Sequence, residues 1–158
     1  MGTSTACRAI AGATSQAGCK TTADDYGFQS HDFSAGAWVR HTTFPNGRNG
    51  IMGTDNGSNG WAISVTSGSK PRFSVSGVGS SDMTDSISTG TWYFIAVTKV
   101  SASTNTMYVI TQAGAVTSQA VTARTVNANT GDFYVGAVGS TASTSMNGNI
   151  AHAQVWDY

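Results

Sequence analysis

The densest group of metal-ligating oxygens in the chain is the run Asp55-Asn56-Gly57-Ser58-Asn59-Gly60. Calcium takes about six to eight oxygens from carboxylates, amides and carbonyls. Asp55, Asn56 and Asn59 offer such donors within one short loop, and Asp25 or Asp132 can join them if the fold brings them near. The same residues also read as plain turn chemistry, because Asp and Asn bond their own backbone and tolerate positive φ. One carboxylate is few for calcium, so a turn is the default and a calcium site the alternative. Trp61 follows the loop directly. An aromatic ring beside amide side chains suits stacking on a sugar, which makes Trp61, Asn56 and Asn59 the candidate ligand-binding residues. Burial in a core is the competing role for so large a ring.

Hydrolytic chemistry finds less support. A retaining glycosidase places two carboxyl groups about 5 Å apart. The chain has no Glu, and Asp24, Asp25, Asp82 and Asp85 all lie in turn-like sequence. No Gly-x-Ser-x-Gly elbow stands in a strand-turn-helix setting. His31, His41 and His152 are far in sequence from both cysteines. His152, set between alanines, is expected as a hydrogen-bonded side chain on a sheet face and not as a base. The expectation is therefore a protein that is not an enzyme. Cys7 and Cys19 would close a short loop if paired, a cross-link that stabilises by roughly 3 kcal/mol. Two free thiols fit equally well, and no second Cys or His pair completes a zinc pattern.

These residues must be positioned by strands. The chain lacks Leu as well as Glu and is poor in Lys and Arg, which removes most strong helix formers. Thr and Val suit a pleated surface, and Gly, Asn and Ser suit tight turns. Four Trp and regular apolar alternation argue against a disordered chain. At 158 residues it is long enough for one domain with a real core.

Strands are expected over 22–28, 33–43, 50–54, 61–66, 71–78, 92–100, 107–112, 116–121, 132–138 and 148–158, with a polar connection over 79–88. Trp61, Ile63 and Val65 alternate with Ala62, Ser64 and Thr66, a half-buried pattern of period two. The stretch from Trp92 is apolar on both sides and should lie centrally between two layers. Val116–Val121 is polar and reads as an edge. Many short strands without a long internal repeat mean a sandwich, jelly roll or barrel. Residues 1–20 read as an irregular N-terminal arm, and 21–158 as the domain.

Five segments in order resemble one family. Phe33-Ser-Ala-Gly-Ala-Trp38-Val39, Gly90-Thr-Trp92-Tyr-Phe-Ile-Ala96-Val97, Tyr108-Val109, Tyr134-Val135-Gly136 and Asn147-Gly148-Asn149-Ile150 through Val155-Trp156 resemble strands of laminin G-like domains of the concanavalin A-like lectin and glucanase superfamily. The resemblance covers about residues 22–158. It implies an all-β, antiparallel two-sheet jelly-roll sandwich. It also implies that Trp38 and Trp92 are core, and that calcium in a rim loop would fit Asp55, Asn56 and Asn59. A departure is Ile110-Thr-Gln-Ala-Gly114, where a short Asp-Gly or Asn-Gly turn is usual; a longer or differently shaped loop is expected there.

The formal net charge is zero and a tenth of residues are charged. With no basic patch, nucleic acid is not expected as a partner. Neither a signal peptide nor a membrane-spanning apolar run is read from the sequence. The preferred expectation is a phage virion surface protein, for capsid decoration or tail adhesion, with capsid or tail subunits as partners and a homo-oligomeric state. The alternative is an extracellular lectin-like module for cell-surface glycans, with calcium as its conceivable cofactor.

Overall fold

The computed structural model describes residues 17–19, 32–45, 47–55, 57–100, 103–126, 133–138 and 145–157, with 17–19 and 157 described by backbone alone. The strands are β1 (Ala17–Cys19), β2 (Phe33–His41), β3 (Arg48–Gly53), β4 (Trp61–Thr66), β5 (Pro71–Val75), β6 (Gly79–Asp82), β7 (Tyr93–Lys99), β8 (Asn105–Thr111), β9 (Val116–Val121), β10 (Phe133–Val135) and β11 (Gly148–Asp157). A six-stranded sheet runs β1-β10-β3-β4-β5-β6, and a five-stranded sheet runs β11-β2-β7-β8-β9. The named strands all pair antiparallel. No helix among the described residues is long and apolar enough to cross a membrane.

Alternation decides what the two sheets enclose. Phe33, Ala35, Ala37 and Val39 of β2 are buried, as are Ile95 and Val97 of β7 and Met107 and Val109 of β8. They meet Trp61, Ile63 and Val65 of β4 and Phe73 and Val75 of β5. Each large apolar side chain so buried contributes about 1.5–3 kcal/mol. The Trp61 ring is the centre of this layer, 4.9 Å from Phe33 and 6.2 Å from Phe133 between centroids.

Three expectations are corrected. The segment expected as an arm includes β1, whose residues pair with Phe133–Val135; three small residues are too few to show alternation. The polar connection over 79–88 contains β6, which pairs with β5 although Gly79-Ser80-Ser81-Asp82 offers no apolar period. For the loop after Tyr108-Val109 only the longer of the two expected alternatives is corrected: the loop is tight, and its shape is a hairpin turn closed on Thr111. Thr111 accepts from the Gly114 N–H and donates to the Ala115 carbonyl, each at 2.9 Å, and Gly114 takes the left-handed φ of 86° that such a hairpin turn requires. The strand expected over 22–28 lies outside the described residues.

Candidate functional site

The outward residues of the five-stranded sheet build a surface unlike an ordinary solvated face. Register places Ala151 of β11, Trp38 of β2, Phe94 of β7, Ile110 of β8 and Val116 of β9 side by side in one row. The next row holds Gln154, Gly36, Ala96, Tyr108 and Ser118. Trp38 and Phe94 are half-buried, with ring centroids 5.7 Å apart and planes inclined by 56°. A methyl carbon at Gly36 would stand 2.9 Å from the tip of the Phe94 ring and 2.7 Å from the Ala96 methyl. The bare backbone there is what lets the Phe94 ring lie down against the sheet.

Polar groups frame this apolar row. Just before β7, Trp92 lies under the Arg40 guanidinium, whose carbon is 5.7 Å from the ring centroid. Arg40 also donates to the Asn149 amide oxygen at 3.1 Å. Trp38, Trp92, Gln112, Ala151 and His152 line an open cleft of about 270 Å³. His152 reaches it through a bulge: the β11–β2 register shifts between Ala151 and Gln154, and His152 sits at a φ of 50°. Bulges re-aim side chains in this way, and a left-handed non-glycine residue is backbone strain that persists only where the surroundings enforce it.

The described members of the expected site belong to the opposite sheet and its β3–β4 connection. Trp61 is 1 % exposed, so it packs in the core and has no face free for a sugar; the inward parity of β4 requires this. Trp38 and Trp92, expected in the core, are instead the half-exposed rings of the outer face. Asp55 is buried where the β3–β4 connection begins. Its carboxylate accepts from Arg48 Nη1 and the Gly57 N–H at 2.7 Å each, and from the Ser76 hydroxyl. Burial pushes the Asp55 carboxyl up, but the Ser76, Gly57 and Arg48 hydrogen bonds and the Arg48 charge outweigh it and hold it below the usual carboxylate range. The guanidinium thus stands where a cation would be required, and the Gly57 bond is the turn chemistry that Asp favours. No group of three or more acidic, His or Cys side chains among the described residues can hold a metal. Asn59 is half-buried in the same loop. Asn56 and Cys7 lie outside the described residues, as does the side chain of Cys19.

The profile of the concanavalin A-like lectin/glucanases superfamily, in its laminin G form, matches residues 13–158. The chain belongs to this superfamily. No curated protein sequence matches. Solved structures share the fold at low identity. A Bacteroides ovatus protein described as carbohydrate binding gives a TM-score of 0.61 at 18 % identity, over 80 % of this chain and 37 % of that one. A Trypanosoma rangeli sialidase gives 0.60 at 20 %, over 92 % of this chain and 24 % of the sialidase. The enzymatically active domain of bacteriophage CBA120 tailspike protein 2 gives 0.56 at 14 %, over 82 % and 22 %. The chain therefore spans well under half the length of each.

One expectation is overturned by these likenesses. The absence of Glu led to the expectation of a protein that is not an enzyme, yet superfamily folds similar to this one lie within a sialidase and an enzymatically active tailspike domain. The lack of Glu bears only on a carboxylate pair held within these 158 residues.

Proposed function

We propose that this superfamily member binds glycans through the outer face of its five-stranded sheet. The observation that carries the reading is the row Trp38, Phe94 and Ile110 on a face that an antiparallel sheet ordinarily leaves polar. Contiguous exposed apolar surface marks an interaction site. Sugar rings offer apolar C–H faces to Trp and Phe, and hydroxyl edges to the planar donors and acceptors of Arg40, Asn149, Gln112 and His152. An apolar floor with a few convergent polar groups is the usual make-up of such a site. The likeness to the Bacteroides ovatus carbohydrate-binding structure supports the same reading.

A place on a phage particle is the finer, second reading, with the protein at the virion surface holding host glycans. It is favoured by the low charge content of the chain and by the fold shared with a phage tailspike domain. The test of the primary reading is a glycan array with the intact protein, repeated with Trp38→Ala and Trp92→Ala. Retention of a defined oligosaccharide class, lost in both variants, is the expected result. An array without retained glycans, or binding that both variants preserve, would overturn it.

A further inference from the structure

Among the described residues the two sheets have four edges, and three of them are blunted. β1 is described over three residues. β11 is kinked by the bulge at His152. β6 has its outward carbonyls taken: Ser80 O accepts from Arg124 Nη2 at 2.8 Å, and Asp82 O from Gln119 Nε2 at 3.2 Å. Short length, bulging and covering are how proteins blunt an edge.

Among the described residues, the remaining edge, β9, has none of these protections over 116–120; the first covered carbonyl is that of Thr122, beyond the strand, which accepts from Arg124 Nη1 at 3.2 Å. The Thr111 N–H bonds the Ala115 carbonyl, which fixes the alternation of the β8–β9 ladder. Thr117, Gln119 and Val121 exchange bonds with β8, while the N–H and C=O groups of Val116, Ser118 and Ala120 point away from the sheet. Val116 is 61 % exposed, and Thr117, Ser118 and Ala120 are exposed too. From Val100 to Ala123 the chain carries no Asp, Glu, Lys, Arg or Pro.

The geometry points to β9 as a self-pairing edge whose partner is the β9 of a second copy, antiparallel about a two-fold axis through Ser118. In that register Ser118 faces its own copy and Val116 faces Ala120. Each pair exchanges both main-chain bonds. The side chains meeting across the seam are small and uncharged, so no like charges oppose one another. A two-fold contact of one strand with itself closes at a dimer. Because antiparallel pairing keeps opposed residues on one face, both Trp38–Phe94 rows emerge on the same side of a continuous sheet. That last consequence, bivalent presentation, rests on the glycan reading; the pairing does not.

Sedimentation equilibrium of the intact protein across the micromolar range tests the pairing without any sugar. A dimer is expected. Ser118→Lys, which opposes two charges at the axis, and Ser118→Pro, which removes the central donor at a position an edge tolerates, should each weaken it by about tenfold or more. Ala153→Lys on the bulged edge should leave it intact. Circular dichroism of each variant establishes folding, and if Ser118→Lys fails to fold, Ser118→Pro decides. A monomeric parent, a dimer that survives the Ser118 substitutions, or one equally broken by Ala153→Lys would overturn the assignment. Loss of the dimer with glycan retention unchanged, or the reverse, separates this pairing from the binding face.

Discussion

The Arg40 guanidinium carbon lies 5.7 Å from the centre of the Trp92 ring, and the same side chain reaches Asn149. One residue of β2 thereby ties the residue before β7 to the start of β11 across the outer face. A cation over Trp contributes about 0.5–1 kcal/mol when exposed, and it fixes the ring's tilt as well.

Replacing Arg40 with Gln should therefore lower glycan affinity by roughly threefold to tenfold while changing stability by less than about 1 kcal/mol. Trp92→Ala should cost more, since it removes the stacking surface itself. Isothermal titration with an array-identified oligosaccharide, beside thermal melts, separates the two effects. Equal affinity in the parent and Arg40→Gln would contradict the role given to this pair.

Two hairpins of the molecule are built alike, which supplies an internal control. Thr66 accepts the Lys70 N–H and Thr111 the Ala115 N–H on their hydroxyls, each at 3.1 Å. The left-handed position is Gly114 in one and Ser69, at a φ of 59°, in the other. Ser69→Gly should relieve that strain and raise stability by about 0.5–1 kcal/mol, with binding unchanged. His152→Gly should raise stability similarly yet weaken glycan binding, because this strained residue lines the cleft. Melting temperature and affinity, measured together, distinguish the outcomes; parallel behaviour of the two variants would remove His152 from the site.

His41 gives the fold an acid sensitivity. Its imidazole is 1 % exposed, stacks 5.0 Å from Phe44, and is pushed down to about 4 by burial. An unfolded chain protonates its histidine near 6.5, so between about pH 6.5 and 4 the unfolded state binds the extra proton and stability falls with pH. The loss is on the order of 3 kcal/mol by pH 4. In His41→Phe, melts recorded from pH 7 to 4 should lose most of this slope. Asp55 acts lower: its depressed carboxyl stabilises the fold above the ordinary carboxylate range, and that contribution goes as pH falls through it.

Removing the Asp55 carboxylate should be costly at neutral pH. Asp55→Ala leaves Arg48 without its ion-pair partner and the Ser76 hydroxyl without its acceptor. A loss of roughly 2–4 kcal/mol is expected by urea unfolding. Calcium or chelator should not move the melting temperature of the parent protein, because Arg48 already supplies the positive charge. A calcium-dependent rise would reopen this loop as a metal site.

Much of the fold was legible because Trp61, Ile63 and Val65 alternate with Ala62, Ser64 and Thr66 along β4, and clusters of Gly, Asn, Ser and Asp bound the strands. The identity of the exposed tryptophans was not, because apolar residues on both sides of a strand fit a sheet buried twice and a sheet with one adhesive face equally well. Ala35, Ala37 and Val39 on the other parity of β2 held the signal: small inward residues leave Trp38 outward. The bulge was not legible, and 148–158 reads as one unbroken strand. Ile150 and Val155 both pack against the core although an odd spacing separates them, which an unbroken strand of period two does not allow. Asp55 was recognised as chemically special, but its partners Arg48, at the start of β3, and Ser76, just past β5, meet it only in the folded sheet, and one sequence does not show such pairings.

The pairing of β2 with β11 joins Phe33 to Asp157 and Ser34 to Trp156. During synthesis β2 must wait through the eight strands β3 to β10 before that seam can close. Until then β2 offers a bare edge and the Trp38–Phe94 row lies beside it. Long-range strand pairing of this kind is slow and exposes adhesive surface on the way. The nascent domain should therefore be most prone to aggregate just before β11 appears, and to lose that tendency once β11 docks.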